Sequence, residues 1–197
     1  MKPKSSRKAF CHQCAGLGFY VVGTQASVAR RRLAELNLQS GIIDADPGEQ
    51  KALADIEQFG CHVVHVLAED DLPPFSYSVG IQRSSGAPEL IVIGLKRPLG
   101  HFIVNEYNRR VRTGERFAAG QIASGFIEGF NCHFRPVHAS HHRAYLGWDV
   151  WLYQGEFHVL QLVYPTTAGV WPWDNEVDDQ FRAWQPLLEK PEGDGAR

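Results

Sequence analysis

No stretch of this 197-residue chain approaches the roughly 20 consecutive apolar residues that a membrane-spanning helix requires, so no membrane partner is expected. The opening MKPKSSRKAFCHQC also lacks the apolar run of a secretory signal, and the expected location is cytoplasmic. Cysteine is scarce: Cys11, Cys14, Cys61 and Cys132 are the full set. A reducing compartment would hold them as thiols, so their even number predicts no disulfide. Excess positive charge is missing too, with 20 Lys and Arg against 22 Asp and Glu. A broad nucleic-acid footprint needs the opposite balance, and no nucleic-acid partner is expected. GxGxxG, GxxxxGK[ST] and GxSxG are all absent, which disfavours P-loop nucleotide hydrolysis and the common serine hydrolases. No motif names a cofactor, and the cofactor stays unknown.

What is present reads as a globular protein, 44% hydrophobic and 21% charged. Residues 1–46 are basic and glycine-punctuated and are read as an N-terminal arm, partly disordered. Residues 47–190 form one domain, and 191–197 a flexible tail. Within the domain EQKALADIEQFG spaces Leu53, Ile56 and Phe59 as a helix closed by Gly60. CHVVHVLA reads as a strand. FSYSVGI alternates Phe75, Tyr77, Val79 and Ile81 with small polar residues and predicts a half-buried strand. ELIVIGL is apolar on both faces and suits a central strand. RPLGHFIVNEYNRRVRTG predicts a helix with Phe102, Ile103, Tyr107 and Val111 inward. CHFRPV and EFHVLQLVYP are further strands, and AYLGWDVWLY carries an aromatic helical stripe that also permits a strand. The expected fold is α+β: a mostly antiparallel or mixed sheet with helices packed on it, plus the short basic arm.

Several clusters carry possible chemistry. In CHQCAGLGF, Cys11 and Cys14 have the spacing of a zinc chelate, but tetrahedral zinc needs four ligands and no second CxxC exists. An exposed arm is the plainer reading, and no metal site is assigned. In CHVVH, His62 and His65 point to opposite faces of a strand and are not expected to share a metal. FRPVHASHHRAYLG concentrates His138, His141 and His142 within five positions. It lacks the glutamate of a metalloprotease HExxH. Pro136 keeps Arg135 extended, and Ser140 as helix cap would leave His138 in a loop, where Arg135, His138 and His142 could wall a pocket. Gln161 stands inside an apolar strand and needs a partner or a cavity. Trp171, Pro172 and Trp173 make a rigid aromatic segment, which suits either ligand stacking or a plug over a sheet edge.

Six blocks in order, DIEQFGCHVVHV, FSYSVGI, PELIVIGL, VRTGERFAAGQ, FRPVHASHHRAYLG and FHVLQLVYPTTAGVWPWD, resemble an uncharacterised bacterial family, domain of unknown function 4262, over residues 55–188. The resemblance implies no established activity. It marks His62, Tyr77, Glu89, Glu115, Arg135, His138, Gln161, Trp173 and Asp174 as matching polar or aromatic positions. The chain departs from the pattern at Ala87, where the family commonly has histidine, and at Cys61, where it commonly has tryptophan. An indispensable histidine at position 87 would leave this protein inactive; otherwise that position is auxiliary.

Two functions follow as expectations. In the first, polar residues set among apolar strands converge on a pocket for a small polar or anionic molecule, bound or turned over there. His62, Tyr77 and His138 are then the catalytic candidates, as proton exchangers and donor, while Glu89, Arg135, Gln161 and Trp173 bind the ligand, Arg135 through its fork of donors. In the second, the domain is an interaction module, for example one that masks a toxin or partners another bacterial protein. Trp148, Trp151, Trp171 and Trp173 would be its anchors.

Overall fold

The turn DADPGEQ opens the first helix in a computed structural model of the chain, which describes residues 8–11, 20–22, 46–69 and 72–190. Asp46 caps α1 (Pro47–Phe59) by accepting the Gly48 N–H at 2.8 Å, and proline occupies the first turn, where its missing N–H costs nothing. Gly60 ends the helix in the left-handed region at φ 87°. The buried face of α1 is Ala52, Asp55 and Ile56. Leu53 and Phe59, expected inward, are instead exposed, because the helix turns Asp55 toward His62 and takes the leucine out of the interface.

The sheet runs β2-β1-β3-β4-β5-β8-β7-β6. Its members are β1 (Lys8–Cys11), β2 (Tyr20–Val22), β3 (His62–Val66), β4 (Phe75–Val79), β5 (Glu89–Ile93), β6 (Ile122–Ile127), β7 (Phe130–Pro136) and β8 (Val159–Val163). Only the β5–β8 pair is parallel among these strands; every other pair is antiparallel. The fold is therefore α+β with a mixed sheet and helices on it, and β1 and β2 of the N-terminal arm extend it beyond β3. The other helices are α2 (Ile81–Ser85), α3 (Arg97–Arg112), α4 (His142–Tyr145), α5 (Gly147–Tyr153) and α6 (Asp179–Trp184). AYLGWDVWLY is thus helical, divided between α4 and α5.

Each face of the sheet carries its own core. Ile103, Val104, Tyr107 and Val111 of α3 pack on Val63, Leu90, Val92, Phe134 and Leu162. Phe102, expected on that stripe, is 53% exposed, since the buried face follows positions 100, 103, 104, 107, 108 and 111. On the opposite face Val64, Phe75, Tyr77, Val79, Ile91 and Val159 lie under Ile56, Leu146, Phe157 and Leu188. This two-sided cover corrects the half-buried reading of β4, whose five residues are all buried. The serines are small enough to admit α3: a Cβ on Gly100 would stand 2.4 Å from Ser76 Oγ. Among the described residues no helix is long and apolar enough to cross a membrane.

Candidate functional site

Strand register gathers the polar residues on the face opposite α3. Tyr77 pairs with Ile91, Ile91 with Gln161 and Gln161 with Arg135, so Tyr77, Gln161 and Arg135 fall in one row across four strands. His62 lies two residues from Val64, the partner of Tyr77, and shares its face by the two-residue period. Glu89 begins β5 beside them, opposite Val159. The row has an inner end near α1 and α5 and an outer end at β7.

At the inner end His62, 1% exposed, holds Asp55 Oδ2 through Nδ1 at 2.7 Å. Burial raises the Asp55 carboxyl, but hydrogen bonds from His62 and Lys51 more than offset this and bring it below its ordinary range. The His62 ring lies 5.8 Å from that of Trp148. Tyr77 is also buried, and its hydroxyl accepts the Trp148 N–H at 3.4 Å. Glu89 is fully buried and accepts from Ser78 Oγ, Tyr153 Oη and the backbone N–H groups of Gly80 and Gln82. Burial pushes its carboxyl up and the four donors pull against that shift. Its geometry ties the start of α2 and the α5 helix to the start of β5.

Asp149 of α5 lies at the same inner end. It is completely buried, and neither of its carboxylate oxygens has a hydrogen-bond partner among the described residues. Burial, with repulsion from Glu89 behind it, pushes its carboxyl well above the usual range. The signal in GWDVWLY was an acid enclosed by aromatic and aliphatic neighbours, a position where ionisation is costly.

At the outer end Gln161 has its partners: Nε2 donates to the Pro186 carbonyl and Oε1 accepts from the Leu188 N–H, both at 2.8 Å. It clamps the C-terminal segment on the sheet. Arg135 donates through Nη2 to Glu189 at 2.6 Å, and its guanidinium lies 5.0 Å from the Trp173 ring centre. Trp171 stacks on Trp173 with ring centres 5.1 Å apart and planes within 5°. His133 meets both tryptophans edge-on, and burial followed by the nearby Arg135 charge lowers its imidazole. Asp174 accepts the Trp171 N–H and closes this turn.

The histidine cluster does not converge. His138, rather than Ser140, caps the short 3-10 turn Ala139–His141, its Nδ1 accepting the Ser140 N–H while also contacting Ser140 Oγ at 2.9 Å. The imidazole can reach that N–H because His138 is itself in an extended conformation ahead of the turn. His141 reaches the Glu189 carbonyl, and His142 stacks on Phe157 at 4.3 Å. His65 is directed to the other face, bonded to Ser76 Oγ at 2.7 Å, with His101 at 3.3 Å from its second nitrogen. Glu115 pairs with Arg110 on the surface, away from the polar row. Among the described residues no three His, Cys, Asp or Glu side chains are grouped to hold a metal. Cys11 ends β1, while Cys14 lies outside the described residues. Cys61 and Cys132 are buried thiols, and burial raises the Cys132 thiol to about 12. Ala87 is buried in the core under α3, so a histidine at this position would enter that packed layer. An open, largely apolar cavity of about 190 Å³ lies elsewhere, between Leu95, Leu99, Ile127, Phe130 and Phe181.

Residues 55–178 match the model of the family described as Domain of unknown function (DUF4262), and the chain belongs to that family. No curated protein and no solved structure matches it.

Proposed function

We propose that this family member binds a small anionic molecule at the outer end of its polar face, with Arg135 as the anion holder and Trp173 as the platform beside it. The observation that carries the reading is the half-used guanidinium. Only Nη2 is engaged by a carboxylate, Nε is buried without a partner among the described residues, and the Arg135 and Glu189 side chains are each about one-third exposed. A guanidinium fork recognises carboxylate or phosphate best through two parallel donors. Glu189 then acts as an internal stand-in that an incoming anion displaces. Gln161 supports the arrangement by fixing residues 186–188 next to it. His133, held toward its neutral form, adds a polar edge without a second fixed charge.

The partner-binding alternative asks for tryptophans on one accessible face. Trp171 and Trp173 stack on each other with Trp173 exposed, while Trp148 and Trp151 form a separate pair beside His62, and this division supports the small-molecule reading.

Calorimetric titration of the full chain with acetate, malonate and phosphate tests the proposal. At least one anion should bind, and Arg135→Ala should weaken it by about 10- to 100-fold, as expected for a charge-assisted bond of roughly 1.5–3 kcal/mol. Glu189→Gln should strengthen the same anion severalfold by removing the competitor. Failure of all three anions to bind, or binding indifferent to Arg135→Ala, would overturn it.

A further inference from the structure

The inner end of the polar face holds two hydroxyl-type donors that the outer site leaves unused. Asp149 is 0% exposed with both carboxylate oxygens unpartnered among the described residues. An ionised carboxylate shut away from solvent, with no hydrogen bond from the described residues, is strongly disfavoured, so the group is carried as a neutral acid with an O–H to give. Tyr77, 2% exposed, accepts the Trp148 N–H, and its own hydroxyl hydrogen has no acceptor among the described residues. Because Trp148 and Asp149 are consecutive, the phenol and the acid belong to the same interface between β4 and α5. The electrostatic influence of Asp149 on the Tyr77 phenol places them in the same enclosed environment.

Their surroundings are aromatic and apolar. Phe75 stacks beside Tyr77, Tyr145 packs on Phe75, and Trp148 lies against the His62 ring. Buried donors without acceptors are costly, and two at one enclosed interface call for an acceptor atom there. We infer that Tyr77 and Asp149 form a two-donor cradle for the oxygen of a small aromatic or conjugated molecule, an enolate, phenolate or strongly polarised carbonyl. A tyrosine paired with a neutral carboxylic acid is a known way to stabilise such an oxygen out of water. The Asp55–His62 pair adjoins this interface, with the His62 ring 5.8 Å from that of Trp148. Entry requires α5 to lift. That element has only seven residues and ends at Gln154 in the left-handed region at φ 51°. Its ties to the sheet include the Trp148–Tyr77 and Tyr153–Glu89 hydrogen bonds. This inference rests on the inner residues alone and stands or falls independently of the Arg135 site.

The test uses 4-nitrophenol, whose absorbance distinguishes phenol from phenolate, titrated into the full chain near neutral pH. Saturable binding with an enriched phenolate band is expected. Tyr77→Phe and Asp149→Leu should each weaken it at least fivefold, with circular dichroism confirming that each variant is folded. If Asp149→Leu does not fold, Asp149→Ala, which also lacks a donor, takes its place under the same criterion. Infrared difference spectra of the unliganded wild type and Asp149→Asn provide a ligand-free arm, and the wild type should show a protonated carboxyl band that the variant lacks. No saturable binding, binding without phenolate enrichment, a loss below fivefold in either folded variant, or an ionised Asp149 at neutral pH would overturn the inference.

Discussion

Asp55 and His62 are separated by the end of α1, the Gly60 cap and the start of β3, and their 2.7 Å hydrogen bond holds helix and sheet together. Removing the carboxylate should therefore cost stability as well as any proton-handling role. Asp55→Asn is expected to destabilise the chain by about 1–3 kcal/mol, the range for losing a charged partner from a buried polar group. Because the folded carboxyl is depressed, its contribution is present above the ordinary aspartate value near 4 and is lost as pH falls through the folded value. Urea unfolding of wild type and variant at neutral and acidic pH checks both points, and the gap between them should narrow in acid. At this scale the sequence was informative where a residue contradicted its surroundings. Gln161 in an apolar strand had to have partners, but their identity could not be read, because Pro186 and Leu188 arrive from a segment about 25 residues later. Asp149 posed the same contradiction, yet α5 is short and aromatic and its inward face depends on how it docks on β4.

The central elements were legible because periodicity and glycine placement agreed. β5 is the apolar central strand expected from ELIVIGL, and the long helix expected from RPLGHFIVNEYNRRVRTG runs from Arg97 to Arg112. β6 escaped notice: IASGFI has a largely exposed pattern, and a register irregularity between Ala123 and Ile127 contains Gly125 at φ 88°. A bulged edge strand has no clean alternation to read. The junction of β4 and α2 gives a sharper test. Gly80 has φ 99°, and an added Cβ would stand 2.5 Å from Ile56, while Gly129 has φ 78° with nothing within 4 Å of its added Cβ. Gly80→Val should cost more than about 3 kcal/mol through combined strain and clash, and Gly129→Ala only about 1 kcal/mol through backbone strain. Thermal unfolding of the two variants should separate them; equal losses would mean that close packing at Gly80 is unimportant.

Across the whole molecule, the buried ionisable groups pull stability in opposite directions with pH. Asp149 and Glu89 have folded values raised by burial, so the native state keeps protons that the unfolded chain loses above about pH 4. Native then binds more protons than unfolded, and their contribution falls as pH rises toward the folded values. His133 and His142 are lowered by burial and act with the opposite sign: the unfolded chain takes up protons first below about pH 6.5, so these groups favour the native state more as pH rises. The total profile can be shallow even while each component is steep. Asp149→Asn isolates one component, leaving the histidines, Glu89 and Asp55 in place. Between pH 5 and 7 the stability of the wild type should fall relative to this variant, at up to about 1.4 kcal/mol per pH unit for the single proton retained. Urea unfolding across that interval gives the difference directly. Parallel profiles would mean that Asp149 ionises alike in the folded and unfolded chains, whereas a widening gap toward pH 7 would tie the stability of the entire sheet and its α5 cover to one buried acid.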